Sequence, residues 1–323
     1  MGATTTPDDA THPGALLRPV TWVVGSSGLL GSAVSRAAEA RAGAVMTSRI
    51  PWNQPEAAVE ALLAAADQLP DGAWRLAWCA GAGVVATSPE HFDRELWVIT
   101  TFLNRWRPRR AEGQGIFLAS SAGGVYAGSA APPFNEITEP IPISPYGHAK
   151  LRAEAAFTRF SERTGVPLLI GRISNLYGPG QDMRKGQGLV SLLCRAQLTG
   201  KPLDVYVSLD TIRDYLYTDD AAAMALAGLE AVSEVSGTHV KILASGQSMT
   251  IAAVLGEVRR VTRRRPPINT RGSGAAKFQT LDLRMRSVAW PPVQGFARTS
   301  FSVGIASCLA AVEASLRCPQ QEV

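Results

Sequence analysis

The 323-residue sequence has few of the residues that build disulfide frameworks or metal sites, with only four cysteines and four histidines. The four cysteines, Cys79, Cys194, Cys308 and Cys318, show no paired metal-ligand spacing, and Cys79 and Cys194 fall in apolar surroundings. We therefore expect reduced, mostly buried thiols and no bound metal.

Long apolar runs are also missing. No stretch approaches the roughly 18 to 20 uninterrupted apolar residues that a membrane-spanning helix needs, and the segment 221–232 is too short. Residues 1–18 are polar and interrupted by Pro7 and Pro13, so they predict a disordered leader rather than a signal peptide. These absences favour a cytoplasmic protein with no membrane partner.

The net charge is +5, and much of the excess lies in the basic run 259–267, RRVTRRRPP. No aromatic residues interleave with this run, and the chain has no helix-turn-helix or RNP-type signature. A basic run of this kind is more often a solvated surface than a site. The sequence thus argues against a nucleic-acid partner and leaves a small anionic ligand open.

Short β-rich runs alternate with alanine-rich helical stretches through the first half, which predicts right-handed βαβ units on a parallel sheet. The predicted strands there are 20–24, 44–48, 74–79, 115–120 and 167–172, and the predicted helices are 29–41, 55–68, 89–106 and 144–157. We expect an α/β fold with a doubly wound parallel sheet and a dinucleotide-binding core at 19–177. Residues 178–323 are expected to form mainly a smaller, loop-rich substrate-binding lobe, with room for segments that return to the core. Its predicted elements are the helices 189–198, 219–232 and 251–262 and the strands 203–207 and 239–243.

The segment VVGSSGLLGS, residues 23–32, follows the first predicted strand and opens the first predicted helix. Its three glycines suit a tight turn, a close approach of backbone to a diphosphate, and packing of the helix on the sheet. The helix N-terminus attracts the anion. A glycine-rich turn without a ligand is the alternative, but the strand before and the helix after favour a dinucleotide site. The expected cofactor contacts are Gly25, Ser27, Gly28, Leu29 and Gly31.

A cofactor with a free ribose 2′-hydroxyl usually meets an acidic residue after the second strand, about 20 residues beyond the glycines. Between residues 26 and 51 the sole acidic residue is Glu39, inside a predicted helix, and the expected position holds Ser48 and Arg49. These two could hold a 2′-phosphate by hydrogen bond and charge, so NADP is favoured over NAD. Arg49 as a plain surface residue is the alternative.

The predicted strand 74–79 ends at Cys79, and we expect Cys79 and Ala80 to line the cofactor cleft. Packing in the protein interior is the alternative role for the cysteine.

The segment LASSAGGVYAG, residues 118–128, ends a predicted buried strand, so Ser120 and Ser121 lie where open α/β sheets bind ligands. Further along, Tyr146 and Lys150 are four residues apart and share one face of a predicted helix. A free tyrosine has a pKa of about 10 and is a poor base near neutrality. An adjacent ammonium that favours the phenolate would make this pair an acid/base device. The alternative is an exposed pair on a solvated helix.

In the order and spacing of these motifs the chain resembles the extended short-chain dehydrogenase/reductase family, whose nucleotide-sugar members carry a serine or threonine followed by YxxxK. The interval usual in that family selects Ser121 over Ser120. The likeness continues through GRISNLYGPGQ (171–181) and RDYLYTDDAAA (213–223) and covers roughly residues 20–310. It implies catalytic roles for Ser121, Tyr146 and Lys150, with cofactor contacts from the last two. It implies substrate contacts from Ser121, Asn175 and Arg213, with Arg184 and Lys185 as helpers of Arg213.

Asn175 and Arg213 also have plain interpretations, a turn asparagine and a surface arginine.

Three departures from the family pattern are informative. The interval between Ser48 and Trp74 is too short for the usual third strand with a flanking helix on each side, so one strand is expected to be missing or vestigial. Residues 122–124, AGG, replace the adjacent acidic residues of the family's dehydratases, so water elimination lacks its acid and base. The segment 206–212, YVSLDTI, replaces the usual glycine-rich nucleotide loop, which leaves the nucleotide carrier open.

The resemblance implies an NADP-dependent oxidoreductase, with NAD as the alternative cofactor, and first of all a ketoreductase of a nucleotide-activated keto-sugar. The same residues would serve a nucleotide-sugar epimerase. The missing acid after the second strand favours exchangeable NADPH and hence the reductase, because the family's epimerases commonly retain NAD. A non-catalytic dinucleotide-binding sensor or scaffold is a third possibility, and the intact Ser121, Tyr146 and Lys150 argue against it. A homodimer is expected.

Overall fold

A computed structural model describes residues 19–41, 43–81, 87–183, 186–271 and 280–317. The predicted leader at 1–18, the expected helpers Arg184 and Lys185, and Cys318 lie outside the described residues. Within these ranges, no helix combines the length and the apolar character that crossing a membrane would require.

The described elements alternate along the chain much as the sequence predicts. The strands are β1 (Val20–Val24), β2 (Val45–Thr47), β3 (Trp74–Trp78), β4 (Gly115–Ser121), β5 (Leu168–Ile173), β6 (Asn175–Tyr177), β7 (Leu203–Val205), β8 (Ile212–Tyr217), β9 (Thr238–Leu243), β10 (Ser248–Thr250), β11 (Ile268–Thr270) and β12 (Asp282–Leu283). The helices are α1 (Leu29–Ala40), α2 (Pro55–Ala66), α3 (Pro89–Arg105), α4 (Ala122–Val125), α5 (Pro145–Thr164), α6 (Leu189–Thr199), α7 (Thr218–Val232), α8 (Ile251–Thr262), α9 (Pro291–Gln294) and α10 (Phe301–Arg317).

Six strands form one parallel sheet in the order β2-β1-β3-β4-β5-β9. The predicted α/β fold with a doubly wound parallel sheet is therefore confirmed. The last strand of the sheet, β9, comes from beyond residue 178 and pairs with β5 in register from Leu168↔Thr238 to Ile173↔Leu243. The division of the chain at residue 178 stays a proposal, and its second part would include this return to the core.

Helices cover both faces of the sheet because its strands are apolar on both sides. In β1, Trp22 and Val24 pack on the face shared with α2, α3 and α5, while Val23 points to the face covered by α1 and α7. Aromatic rings dominate the first face: Trp22 contacts Phe102 edge-on at a centroid distance of 6.1 Å, and Trp106 stacks on Phe160 at 5.0 Å. This packing fixes the strand ends at which the site is built.

The outer strand β2 has no further neighbour among the described residues. The chain between Ser48 and Trp74 contains α2 and no strand, as its short length predicts. Parallel neighbouring strands need a crossover of a dozen or more residues. An additional strand in this interval would need two such crossovers, and the interval has room for only one helix. The sheet therefore stops one strand beyond β1.

A smaller group of strands follows the main sheet. β8 pairs in parallel with β6 and β12 and antiparallel with β10. A separate apolar cluster supports it, with Tyr177 at 5.2 Å from Phe301 and 5.7 Å from Tyr217 between ring centres. The helices α6, α8 and α10 close this cluster, so β6 and β8 are held rigidly beside the ends of β4 and β5.

Candidate active site

The glycine-rich turn between β1 and α1 has the geometry of an anion-binding turn. Gly25 has φ +86°, and a Cβ there would lie 2.7 Å from the Ala80 nitrogen, so the turn requires glycine. A Cβ on Gly31 would lie 2.1 Å from the Gly25 carbonyl oxygen. Gly28 caps α1 without a side-chain hydrogen bond to the first helical turn, which leaves backbone N–H groups there for an anion.

The end of β3 meets this turn. The Cys79 N–H donates to the Val24 carbonyl at 2.8 Å, and Ala80 follows against Gly25. The surroundings of Cys79 desolvate its thiolate and raise the pKa of the thiol to about 12. The thiol thus stays protonated near neutrality, as a packing role requires. Within the predicted cofactor turn, Ser27 is exposed and Leu29 is half-buried at the start of α1.

Ser48 and Arg49 follow β2 at the same edge of the sheet. The Trp22 indole N–H donates to the Ser48 hydroxyl oxygen at 3.1 Å, so the serine proton remains available to a ligand. Arg49 is exposed and lines an open crevice of roughly 650 Å³ together with Trp52 and Gln54. Its volume lies in the range of small-molecule sites. Among the described residues that line this crevice, Arg49 carries a positive charge and none carries a carboxylate.

Ser121 ends β4 and caps the short helix α4. Its hydroxyl oxygen accepts a hydrogen bond from the Gly124 N–H at 3.1 Å. This bond fixes the rotamer and leaves the hydroxyl proton free to donate to a substrate oxygen. Ser120, by contrast, points to the other face of β4 and donates to the Glu154 carboxylate at 2.5 Å. The different engagement of the two serines supports the choice of Ser121.

Tyr146 and Lys150 lie one turn apart near the start of α5. Ser144 caps this helix by accepting from the Gly147 N–H at 3.2 Å, and Pro145 occupies its first turn. The Lys150 Nζ lies 5.7 Å from the centre of the Tyr146 ring. A Cβ on Gly81, just beyond β3, would lie 2.9 Å from that Nζ. The ammonium therefore lies close both to the phenol ring and to the backbone that follows β3.

Glycine at position 124 is a steric requirement of the site. A Cβ there would lie 2.9 Å from the Tyr146 Cε1, whereas a Cβ on Gly123 would meet the Leu283 Cδ1 at an ordinary 3.8 Å. The α4 segment that replaces the dehydratase acids thus presents no carboxylate and lets the phenol ring approach its backbone. This contact brings Tyr146 beside the Ser121 turn.

A buried ion pair anchors α5 to the sheet and was not anticipated from the sequence. Arg172 of β5 donates to both carboxylate oxygens of Glu154, at 3.1 and 2.7 Å, and to the Tyr126 hydroxyl at 2.7 Å. Burial alone would lower the pKa of Arg172, but the hydrogen bonds and charge of Glu154 outweigh it and raise that pKa. The spacing of Tyr146, Lys150 and Glu154 at every fourth residue was the available signal, because it puts all three on one helical face.

Glu95 is a second residue that the sequence reasoning missed. It lies on α3 and lines a narrow crevice with Tyr146 and Lys150. One of its carboxylate oxygens would lie 3.5 Å from a Cβ on Gly81, the same position that lies 2.9 Å from the Lys150 Nζ. Nothing in the local sequence marks it, because its approach depends on how α3 packs against α5.

The expected substrate residues lie on β6 and β8. Asn175 begins β6, two residues after Ile173, which is paired with Ser121. Arg213 lies in β8 and donates to the Ile212 and Leu281 carbonyls at 2.8 and 3.4 Å. Burial lowers the pKa of this guanidinium, which carries no ion pair to a described carboxylate.

Leu283 of β12 links Arg213 to the turn after Ser121. It pairs with Arg213 across the strands and also faces Gly123. The neighbouring Asp214 has a purely structural role, since its carboxylate accepts from the Ser174 hydroxyl at 2.7 Å and from the Ser245 and Gly246 N–H groups at 2.8 Å. These bonds fasten β8 to the ends of β5 and β9, so the position of Arg213 relative to Ser121 is fixed.

The described residues contain no group of three or more His, Cys, Asp or Glu side chains that could hold a metal ion. Cys79, Cys194 and Cys308 are free thiols, the last two buried. Burial raises the pKa of Cys194 to about 12 and that of Cys308 to about 11. All three are free, and the expected burial is met for Cys194 and Cys308, while Cys79 is half-buried.

Curated relatives resemble parts of the chain. It is 27% identical over 185 residues to the dTDP-4-dehydro-6-deoxyglucose reductase of Escherichia coli, which is 55% of this chain and 56% of the reductase. It is 35% identical over 115 residues to the dTDP-L-rhamnose 4-epimerase of Burkholderia thailandensis, which is 35% of this chain and 31% of the epimerase. The chain thus matches only 56% and 31% of the length of these two relatives.

Solved structures share the fold over nearly the whole chain. MoeE5 in complex with UDP-glucose and NAD superposes with a TM-score of 0.76 at 21% identity, covering 92% of this chain and 99% of that one. The UDP-glucose 4-epimerase of Thermotoga maritima gives 0.74 at 20% identity with the same coverage. A family model described as the NAD dependent epimerase/dehydratase family matches residues 21–242. This match spans both the glycine turn and the Tyr146 helix, and the chain therefore belongs to the NAD dependent epimerase/dehydratase family.

Proposed function

We propose that this protein is an NADPH-dependent reductase of a nucleotide-activated keto-sugar. The observation that carries the proposal is the convergence of Ser121, Tyr146 and Lys150 at the ends of β3 and β4, beside the glycine turn. A hydroxyl donor, a phenol and an ammonium there supply what carbonyl reduction needs from a protein.

The residues fit a dinucleotide on structural grounds. Gly25 and Gly31 give the turn its close approaches, and the uncapped start of α1 offers N–H groups to a diphosphate. In this proposal Lys150 donates hydrogen bonds to the ribose hydroxyls, while its ammonium also lies 5.7 Å from the centre of the Tyr146 ring. The bound nicotinamide would supply the hydride.

The protein's own part in the reaction is to bind the carbonyl oxygen and deliver a proton. Ser121 donates a hydrogen bond to that oxygen, and this donation becomes stronger as negative charge develops on it. Tyr146 donates its phenolic proton to the same oxygen as the carbonyl becomes an alcohol, and Lys150 stabilises the phenolate that remains. Run in reverse, Tyr146 accepts the proton and the alcohol is oxidised.

NADPH is preferred over NADH in this proposal because Ser48 and Arg49 occupy the end of β2. An aspartate or glutamate there would hold a ribose 2′-hydroxyl and repel a 2′-phosphate. Arg49 offers charge to that phosphate and Ser48 offers a hydroxyl proton. The related solved structures hold NAD, so cofactor choice is the finer point that titration has to decide.

The substrate is placed between Ser121 and β8. Arg213 is a largely desolvated cation without a carboxylate partner among the described residues, and a diphosphate would neutralise it. In this proposal Asn175, which begins β6 just after the end of β5, contacts the sugar. Water elimination is disfavoured because Ala122, Gly123 and Gly124 provide no acid or base.

A nucleotide-sugar epimerase is the second candidate, and the 4-epimerases among the structural neighbours favour it. An epimerase oxidises and then reduces the same carbon, so the residues named would serve both halves of the cycle. A catalytically idle dinucleotide-binding sensor is disfavoured by the intact catalytic trio.

The test supplies keto-sugar nucleotides with NADPH deuterated at C4, and follows cofactor absorbance and label. Stoichiometric loss of NADPH with deuterium on one sugar carbon supports the reductase. Interconversion of two hydroxyl epimers with catalytic cofactor and no net oxidation supports the epimerase instead. A Tyr146→Phe control measured in parallel shows whether either activity belongs to this site.

We further propose a homodimer in the cytoplasm. Trp97, on the outer face of α3, is 44% exposed, and large exposed aromatic side chains often mark protein contacts. Sedimentation of the wild type and of Trp97→Ser tests the dimer, since a monomeric wild type contradicts it.

A further inference from the structure

We propose that Glu95 is a positioning residue that adjusts the charge of the Tyr146–Lys150 pair and keeps the phenol protonated for its role as an acid. The inference rests on the proposed reductase function and goes beyond it, because it assigns a role to a residue outside the catalytic motifs. Three features of the structure carry it.

The first feature is distance. A single point above Gly81, where its Cβ would be, lies 2.9 Å from the Lys150 Nζ and 3.5 Å from a Glu95 carboxylate oxygen. The ammonium and the carboxylate therefore face the same small space. The absence of a side chain at Gly81, whose φ is +149°, is what leaves this space open.

The second feature is the environment of that space. The crevice between α3 and α5 holds a volume of about 20 Å³, about the size of one water molecule, and is lined by Glu95, Tyr146 and Lys150 among apolar side chains such as Phe92 and Ile99. Apolar walls weaken solvent screening, so one carboxylate there changes the field at the phenol more than a surface carboxylate does.

The third feature concerns the other charged side chains of α3 and α5. Asp93 of α3 pairs with Arg152 of α5 at 2.7 Å, and Glu154 pairs with Arg172. None of the remaining titratable or charged side chains of α3 and α5, nor Cys79 after β3, lines the crevice. On the two helices these side chains are Glu90, His91, Arg94, Arg105, His148, Arg159, Glu162 and Arg163. Among the described residues of α3 and α5, Glu95 is the one carboxylate that lines the crevice with both catalytic side chains.

The chemical consequence follows from the sign of the charge. Lys150 alone favours the phenolate, which suits a base, whereas a reductase needs the phenol protonated near neutral pH. A carboxylate beside the ammonium offsets part of its field and disfavours the phenolate. It also restricts where the flexible lysine side chain places its ammonium, since both groups gain from proximity.

The experiment reads the phenol directly and needs no substrate. Phenolate absorbance near 295 nm is followed against pH, and the titration of each variant is subtracted from that of the same variant carrying Tyr146→Phe. The variants are the wild type, Glu95→Gln, the charge-retaining Glu95→Asp, and Glu90→Gln in the exposed first turn of the same helix.

We expect Glu95→Gln to lower the pH midpoint of phenolate formation by about 0.5 to 1 unit, with Glu95→Asp near the wild type and Glu90→Gln unchanged. Where a keto-sugar is reduced, the alkaline fall of kcat should move to lower pH by the same amount in Glu95→Gln. Superimposable titrations for the wild type and Glu95→Gln, or equal shifts in Glu95→Gln and Glu90→Gln, would overturn the proposal. Failure to reduce any keto-sugar would count against the proposed function and leave this titration intact.

Discussion

Glu154 and Arg172 form a two-point ion pair whose side chains are both buried, with the arginine 8% and the glutamate 7% exposed. Glu154 lies one turn beyond Lys150 on α5, and Arg172 lies on β5 beside the Ser121 strand. The pair therefore holds the helix that carries Tyr146 and Lys150 against the strand next to Ser121.

We expect Glu154→Gln to destabilise the protein by about 3 to 5 kcal/mol, because it leaves the Arg172 guanidinium buried without its counter-charge. The exposed pair between Arg152 and Asp93 is the matched control, since its side chains are 55% and 62% exposed. Asp93→Asn should cost less than about 1 kcal/mol. Urea unfolding measures the free energy of unfolding of both variants. Equal losses of stability would show that the buried Glu154–Arg172 pair contributes no more than the exposed Asp93–Arg152 pair.

Tyr146→Phe should lower kcat by about 10² to 10⁴-fold with any substrate found, because it removes the proton donor. Its cofactor affinity should stay near that of the wild type. Lys150→Ala should lose turnover and also weaken cofactor binding, since the ammonium is placed to hold the ribose as well. Fluorescence titration with NADPH separates the two. A wild-type turnover rate in Tyr146→Phe would show that the phenol is not the proton donor.

Arg49→Asp should narrow or reverse a preference for NADPH over NADH. A lost charge-assisted contact of this kind costs about 1.5 to 3 kcal/mol, which is easily measured by titration with both cofactors. Arg109→Asp is the control, because Arg109 precedes β4 at the opposite end of the strand and pairs with Asp71 at the surface. Equal affinities of the wild type for the two cofactors would contradict the assignment of Arg49.

Gly124→Ala should reduce kcat strongly while leaving the fold intact. Its methyl group would lie 2.9 Å from the Tyr146 ring, so the ring has to leave its present position against the α4 backbone. Displacements of about 1 Å at a reacting group can cost roughly 10²-fold in rate. Gly123→Ala adds the same methyl at an ordinary 3.8 Å from Leu283 and should change kcat by only a few-fold. Similar rates for the two variants would show that the ring position is not limiting.

Arg213→Ala should raise KM for a nucleotide-sugar with a smaller effect on kcat, if its contact with the diphosphate is equally strong in ground and transition states. Arg260→Ala is the control, because Arg260 lies on α8 in the same lobe and pairs with Glu257 at 2.9 Å. Steady-state kinetics with the natural substrate class decides. An unchanged KM in Arg213→Ala would show that Arg213 does not bind the substrate diphosphate.

Much of the core could be predicted from the sequence because its signals are local. The strand 20–24 was predicted to the residue, and the helix that contains Tyr146 begins where Ser144 and Pro145 predict it. That helix runs on past the predicted Phe157 to Thr164, and Gly165, with φ +74°, ends it. The capping glycine was available as a signal and was not used.

The short strands could not be predicted in the same way. β6, β10 and β12 have two or three residues each, too few for any periodic pattern, and pairing with β8 creates them. Within the site, the motif residues follow from local spacing, but Glu95 and the Glu154–Arg172 pair depend on the packing of α3, α5 and β5. The long helix α10 was missed although its alanine-rich sequence favours a helix.

The six-stranded sheet ends at the short edge strand β2, and this affects where insertions into the chain can be tolerated. A three-residue strand with one unpaired side is a weak template for another chain, so its shortness protects the molecule from edge-to-edge association. The same open side is where an inserted strand and crossover helix would extend the sheet without disturbing Ser121, Tyr146 or Lys150, which lie on the far side of β1. Lengthening the chain between β2 and α2 is therefore a route by which the side of the sheet that carries Ser48 and Arg49 can be remodelled while Ser121, Tyr146 and Lys150 stay where they are.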